Sequence, residues 1–162
     1  MKKRSLMMAV FAGVLLLASS VAFAQGGAKS GPDVVRDPDM EKDSLHNLEA
    51  ARLYFKLRKA YVASLQRAEE IIAGNPTFSK IDEVLYIAGM SNAYLSDAKG
   101  KQSPTLYKRV GADSKSTTLT SDEFRSEARD YLSQLVNDYP QSKFKDEALE
   151  ALKALGGPKP KQ

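Results

Sequence analysis

The sequence predicts an all-α protein. Its seven prolines separate long proline-free segments, and along those segments apolar side chains recur every three or four residues, the spacing of one buried helix face. No segment shows the sustained alternation of apolar and polar side chains that marks a half-buried strand. At 162 residues, one folded domain is expected.

The first helical segment is predicted from about Asp43 to Ala73. Gly74 follows its last apolar pair and Pro76 stands two residues further on, which is a typical helix stop. About thirty residues is long for one helix of a globular protein. A break near Arg58-Lys59 would make a hairpin of two helices, although no Gly or Pro marks it, and the sequence leaves both arrangements open.

The second helical segment is predicted from about Lys80 to Lys99. Its centre consists of small residues around Gly89, and a glycine inside a helix costs about 1 kcal/mol relative to alanine. Close approach of a neighbouring helix is the better explanation for that glycine. Residues 100–119 follow and are predicted to be a long structureless loop, a kind of segment that is usually functional or disordered.

The clearest helix is predicted to begin after Thr120. Thr120 and Glu123 have the spacing of a capping box, in which each side chain satisfies a free backbone N–H at the helix start. The helical period continues to Tyr139, and Pro140 ends it.

A short final helix follows that turn. Ser142 is predicted to cap it, and Gly156-Gly157-Pro158 to terminate it. The predicted helical domain covers residues 40–156, and residues 157–162 are predicted to be a disordered tail.

The first 24 residues have the parts of a secretory signal peptide. Three basic residues precede an apolar run over residues 6–18, and a small-x-small site ends at Ala24. We expect cleavage between Ala24 and Gln25 and export to the periplasm. An uncleaved anchor helix is the alternative, because the uncharged stretch over residues 5–28 is nearly long enough to span a bilayer.

Residues 25–39 are predicted to form a flexible linker, because they are rich in Gly and Pro and contain few large apolar side chains. The net charge of the whole chain is +4. Three of these charges are Lys2, Lys3 and Arg4, so removal of the signal peptide leaves +1. The sequence therefore gives no reason to expect a nucleic-acid partner.

The composition excludes most kinds of catalytic chemistry. The chain has no cysteine and one histidine, His46, which excludes disulfides, cysteine–zinc sites and thiol nucleophiles. His46 and Glu49 alone would be an incomplete metal site. No nucleophile elbow and no glycine-rich phosphate loop is present. We expect no catalytic residue, no cofactor and no metal, and therefore a protein that is not an enzyme.

The chain contains a weak internal repeat, in which residues 71–85 correspond to residues 135–149. Both segments contain an apolar helix end, a proline turn and an acidic pair that opens the next helix, where carboxylates complement the helix dipole. The spacing approximates two helical hairpins. The residues expected to have this structural role are Pro76, Asp82, Glu83, Tyr139, Pro140, Asp146 and Glu147.

Two segments carry a family resemblance. Residues 139–149, YPQSKFKDEAL, resemble the turn of periplasmic tetratricopeptide-repeat proteins. Residues 51–72, ARLYFKLRKAYVASLQRAEEII, closely resemble a helix pair of the BamD-like family of outer-membrane β-barrel assembly lipoproteins. The resemblance implies about two tetratricopeptide-like hairpins plus a C-terminal capping helix. This chain lacks the cysteine that anchors such proteins to lipid.

The resemblance also implies a function. It indicates a periplasmic adaptor that binds proteins, acts in outer-membrane protein assembly and has partners in the cell envelope such as the β-barrel assembly machine. Membrane association would then be indirect, through those partners. The alternative is a tetratricopeptide coordinator of cell-wall synthesis, division or envelope transport, since fold does not specify the partner.

Two groups of basic residues are the candidates for partner binding. They are Arg52, Lys56, Arg58 and Lys59 in the first hairpin and Lys108 and Arg109 in the long loop. The alternative interpretation is a solvated surface. Aromatic residues such as Tyr61, Tyr86 and Tyr94 could line a ligand groove, but most fall on helix stripes and are expected in the core.

Overall fold

The computed structural model describes residues 36–110 and 114–161. The predicted signal peptide, its cleavage site at Ala24 and Gln25, and most of the predicted linker lie outside the described residues. The helices are α1 (Pro38–Arg52), α2 (Tyr61–Gly74), α3 (Ile81–Ser96), α4 (Ser121–Asp138) and α5 (Lys145–Ala154). In the described ranges, strand structure is limited to the antiparallel pair β1 (Arg109–Val110) and β2 (Ser116–Thr117). The all-α prediction is confirmed.

Each helix packs against the next one in the chain, from α1 to α5. Helix α3 lies in the middle of this array and packs most extensively against α2 and α4. Eleven of its sixteen residues are buried, whereas α5 buries only Ala148 and Leu152. Such a series of helical hairpins is the tetratricopeptide-like arrangement that the amino-acid sequence predicts. None of the described helices is both long enough and apolar enough to cross a bilayer.

The first predicted segment is a hairpin, with its break at the position that the sequence left open. After α1 the chain makes a π-helical turn over Leu53–Arg58, and Lys59 then takes the left-handed conformation with φ 48°. The backbone N–H groups of Lys59 and Ala60 both donate to the carbonyl oxygen of Tyr54. A lysine can occupy this position because tertiary contacts offset the cost of about 1–2 kcal/mol for a left-handed residue.

The segment after α3 is ordered at its start, contrary to the prediction of a structureless loop. Gly100 has φ 96°, and a Cβ there would lie 2.5 Å from Cδ2 of Tyr61. The backbone N–H of Lys101 then donates to the carbonyl oxygen of Lys59 over 2.9 Å. Finally, the side-chain oxygen of Gln102 accepts from the N–H of Ala63 at 3.0 Å. Gln102 thus caps α2, whose own N-cap residue offers no side-chain hydrogen bond.

Helix ends agree with the sequence in one case and differ in another. Thr120 and Glu123 form the predicted capping box at the start of α4. The predicted cap of α5 is displaced, because the N-cap residue is Phe144 and it makes no side-chain cap bond. Ser142 instead accepts from the N–H of Phe144 at 3.2 Å and donates to Asp82 at 2.6 Å. The carboxylate of Asp82 therefore holds the serine one turn before the helix.

The ordered domain extends beyond the predicted limits at both ends. Helix α1 begins at Pro38, inside the predicted linker, because Asp37 caps it through its Oδ1 at 2.9 Å from the N–H of Asp39. Residues 157–161, predicted as a disordered tail, lie along α4 and form hydrogen bonds with it. Gly156 and Gly157, with φ 92° and 84°, allow the chain to turn back after α5.

The small centre of α3 allows the close approach that the sequence predicts. A Cβ built on Gly89 would lie 2.6 Å from Cγ and 2.7 Å from Cδ2 of Leu132 on α4. Leu132 is completely buried and cannot move aside without disturbing the core. Gly89 is therefore explained by helix packing.

We expect Gly89→Ala to lower the free energy of unfolding by about 1–2 kcal/mol, since overpacking outweighs the gain in helix propensity. Gly74→Ala is the matched control, because Gly74 is exposed and a Cβ there meets nothing within 4 Å. Urea denaturation of both variants measures the difference. A Gly89→Ala protein as stable as the control would contradict the packing explanation.

Candidate partner-binding groove

Helix α3 has five partly exposed residues, and three of them form a stripe that borders two other elements. Asp82, Met90 and Tyr94 are partly exposed along it, and their spacing places them on one face of the helix. The π-helical turn lies beside this stripe through Phe55, and the start of α5 lies beside it through Phe144. We call this surface the aromatic groove.

The aromatic groove is built from rings that touch one another. Phe55 contacts Tyr94 and Tyr86 with ring centroids 5.9 Å and 6.3 Å apart. On the other side of α3, Tyr86 stacks on Phe144 at 4.8 Å, and Tyr61 of α2 supports Tyr94 at 4.6 Å. Such contacts add about 0.5–1.5 kcal/mol per pair beyond area burial. Tyr61 and Tyr86 are buried and belong to the core. The other three rings are partly exposed and present some of their surface to solvent.

An ion pair joins α1 to the first turn of α3, where the stripe begins. Arg52 donates two hydrogen bonds of 2.6 Å to the carboxylate of Glu83, whose side chain is only 9% exposed. Burial alone would raise the pKa of Glu83, but the hydrogen bonds and charge of Arg52, with the more distant Lys143 and Lys56, hold it below its usual value. Arg52, predicted to bind a partner, is thus engaged within the chain.

The other candidates of the first hairpin are free of such an ion pair among the described contacts. Lys56, Arg58 and Lys59 are exposed, and Lys56 is close enough to Glu83 to affect its pKa. Lys143 was not among the predicted residues, yet its Nζ lies 4.8 Å from the ring centre of Phe144. Lys56 and Lys143 therefore flank the groove with positive charge.

The candidates of the long loop have different neighbours. Lys108 is exposed and donates to the hydroxyl of Thr118 at 2.7 Å. Arg109 pairs with Glu127 of α4 at 3.0 Å. Burial opposes the charge of Arg109, but its hydrogen bonds with Glu127 and Tyr107 outweigh that effect and raise its pKa. Arg109 therefore holds the loop on α4.

Tyr107 anchors the same loop on α2. Its ring is buried against Phe124 at 5.6 Å, and its hydroxyl donates to both carboxylate oxygens of Glu69 at 2.9 Å. Burial raises the pKa of Tyr107 to about 12, assisted by the charge of Glu69. Burial also raises the pKa of Glu69, despite the bonds from Tyr107 and Tyr131. The sequence gives no signal for this cluster, since its members are far apart in the chain.

The predicted repeat-turn residues lie where helices meet. Pro76 and Pro140 stand in the turns before α3 and α5, and Tyr139 is the C-cap residue of α4. The acidic pairs lie in the first turns of α3 and α5. Glu147 also accepts a 2.5 Å hydrogen bond from Tyr86, so these pairs form tertiary contacts in addition to complementing the helix dipole.

The described residues hold no group of three or more His, Asp or Glu side chains that could bind a metal ion. What the groove presents is ring surface with flanking ammonium groups, a combination that can contact apolar side chains and attract carboxylates.

The ion pair of the groove gives a pH-dependent prediction. Because Glu83 has a lowered pKa, its contribution to stability is present above its ordinary pKa of 4.5 and is lost as pH falls through the folded-state value. We expect Arg52→Met to cost about 2 kcal/mol at pH 7 and progressively less in acid. Urea denaturation from pH 7 to pH 3 measures this. Arg67→Met, which breaks the exposed pair with Glu70, is the control, and a cost independent of pH would contradict the assignment.

Glu69 gives a prediction of opposite sign. Its raised pKa means that the protein loses stability as pH rises from about 4.5 through the folded-state value, because the buried carboxylate must become charged. We expect Glu69→Gln to gain stability over the wild type as pH rises, with little difference at the acid end. Glu70→Gln, at the exposed neighbouring position, is the control. A gain that shrinks with rising pH would be contrary to this assignment.

Comparison with known proteins agrees with this fold. A family model described as YfiO, outer membrane lipoprotein, matches residues 38–156, which is more than half of the chain and includes all five described α-helices. No match was found among curated proteins or among solved structures. The chain therefore belongs to the YfiO family of outer membrane lipoproteins, which confirms the resemblance to the BamD-like family.

Proposed function

We propose that this protein is a non-enzymatic adaptor of the bacterial cell envelope, and that it binds a segment of a partner protein in the aromatic groove. Membership of a family of outer membrane lipoproteins supports the location and the context of outer-membrane protein assembly. The β-barrel assembly machine is the proposed partner. Contact with the membrane is indirect and runs through that partner.

The observation that carries the proposal is the groove itself. Phe55, Tyr94 and Phe144 are only partly buried although they pack on the core, so their rings remain available to a ligand. Tyr and Phe rings contribute large contact areas at low entropic cost, which is why aromatic residues are enriched at protein interfaces. The groove therefore suits an extended or helical segment with apolar side chains.

The charge around the groove defines the partner further. Lys56 and Lys143 lie on its two sides, while Glu83 is already neutralised by Arg52. The neighbouring carboxylates of Asp82 and Glu147 accept hydrogen bonds from Ser142 and Tyr86, so the two exposed lysines favour a partner segment that carries carboxylates beside its apolar side chains. Salt weakens such binding, because the lysines are exposed.

Photocrosslinking tests the proposal. A photoreactive amino acid at Met90 in the groove is expected to capture subunits of the β-barrel assembly machine in intact envelopes, identified by mass spectrometry. Adding Lys56→Glu and Lys143→Glu should lower that capture about tenfold, since both flanking charges are reversed. Arg67→Glu, on α2 and paired with Glu70, is the matched control and should leave capture unchanged.

Two outcomes would contradict the proposal. The first is capture of cell-wall or transport proteins in place of the assembly subunits. The groove would then still be a binding site, but the protein would be a coordinator of cell-wall synthesis, division or envelope transport. Capture that persists in the doubly reversed variant would remove the groove from the interface.

A further inference from the structure

The outer face of α4 is occupied by an extended segment of this same chain. Residues 157–161, with the sequence GPKPK, run along the helix after the glycine turn at its start. Gly157 and Lys159 are half-buried, while Pro158 and Pro160 are exposed. Burial therefore alternates from one residue to the next, as expected for an extended chain that lies on a surface. The two prolines restrict φ and favour the polyproline II conformation before contact is made.

Three side chains of α4 bind the backbone of that segment. Arg129 donates to the carbonyl oxygen of Gly157 at 2.6 Å, and Asn137 donates to the carbonyl oxygen of Lys159 at 3.0 Å. Between them, the hydroxyl of Ser133 accepts from the N–H of Lys159 at 2.8 Å. The three residues are four positions apart and so form one row along the helix. The three side chains contact only backbone groups of the segment. They can therefore bind any extended segment that has a backbone N–H at the position of Lys159.

Two carboxylates add selectivity for basic side chains. Asp130 forms an ion pair with Lys159, and Asp138 forms one with Lys161 at 2.9 Å. Both carboxylates are on α4, next to the backbone-binding row in sequence. The two carboxylates thus bind side chains two positions apart, Lys159 and Lys161. In a Pro-Lys-Pro-Lys pattern these positions carry the lysines, and the prolines stand between them.

The segment does not fill its site. A cavity of about 360 Å³ lies between the segment and α4, lined by residues that include Asp130, Gln134, Asn137, Lys159 and Pro160. A ligand with larger side chains therefore fits the same backbone row. The contacts that hold the segment are exposed ion pairs and single hydrogen bonds, which are weak enough for exchange.

We propose that the face of α4 formed by Arg129, Asp130, Ser133, Asn137 and Asp138 is a docking site for an extended, proline-rich segment of a partner protein that carries lysines at alternate positions. The chain's own segment 157–161 occupies this site and competes with the partner for it. The site is distinct in residues and in ligand chemistry from the aromatic groove, which favours acidic segments.

Fluorescence anisotropy with a labelled peptide, GGPKPK, tests this docking site. The host is the full chain with Lys159→Glu and Lys161→Glu, in which Asp130 and Asp138 repel the chain's own segment. We expect saturable binding that weakens with salt, and weaker binding to the wild-type chain, where the segment competes. Adding Asp130→Asn and Asp138→Asn should weaken binding about tenfold. Asp122→Asn, on the first turn of the same helix, is the matched control.

A second measurement covers the case in which the charge-reversed host does not fold. Because the chain has no cysteine, Lys161→Cys can carry a single environment-sensitive dye, with the Lys159 contacts retained. Excess unlabelled GGPKPK should displace the labelled segment and change the emission, whereas GGPEPE should not.

Three results would overturn the docking site: no saturable binding to a folded host, equal binding of GGPKPK and GGPEPE, or binding unaffected by loss of the two carboxylates. Dimerisation of the wild-type chain by exchange of this segment, seen by light scattering, would assign the site to a second copy and overturn the partner assignment.

Discussion

The close contact between α3 and α4 at Gly89 holds the middle of the helical array together. Gly89 has no side chain, so the side chain of Leu132 on α4 packs directly against the backbone of α3. Together with the packing of α2, this contact leaves only five of the sixteen residues of α3 partly exposed. It also sets the position of α4, whose adjoining face binds the segment 157–161 through Ser133, the residue after Leu132. One glycine thus supports both candidate binding surfaces.

The long loop has a structural role that explains the first hairpin. A turn without Gly or Pro requires Lys59 to adopt a left-handed conformation, and the carbonyl oxygen of Lys59 is held by Lys101 from the start of the loop. Gln102 caps α2 from the same segment, and Tyr107 anchors the loop on Glu69. The hairpin turn and the loop therefore stabilise each other, although about forty residues separate them in the chain.

Charged residues show where interpretation of the sequence reaches its limit. Arg52, Lys56 and Arg109 look equivalent in the sequence, but Arg52 is paired with Glu83, Arg109 with Glu127, and Lys56 remains exposed. Lys143 has no distinguishing neighbours in the sequence, yet it flanks the aromatic groove. Pairing across 18 or 31 positions depends on how helices are placed, and periodicity carries no information about it.

Local spacing and backbone chemistry are sufficient to predict most of the helices, the capping box at Thr120 and the close contact at Gly89. The family follows from the resemblance of two segments of the sequence to known proteins. Three features become apparent only in the folded chain: the hairpin in the first segment, the hydrogen bond from Ser142 to Asp82, and the docking of residues 157–161 on α4. All three features have the same cause. Each feature depends on a polar group from a distant part of the chain, and a local sequence pattern does not show whether that group lies within hydrogen-bonding distance.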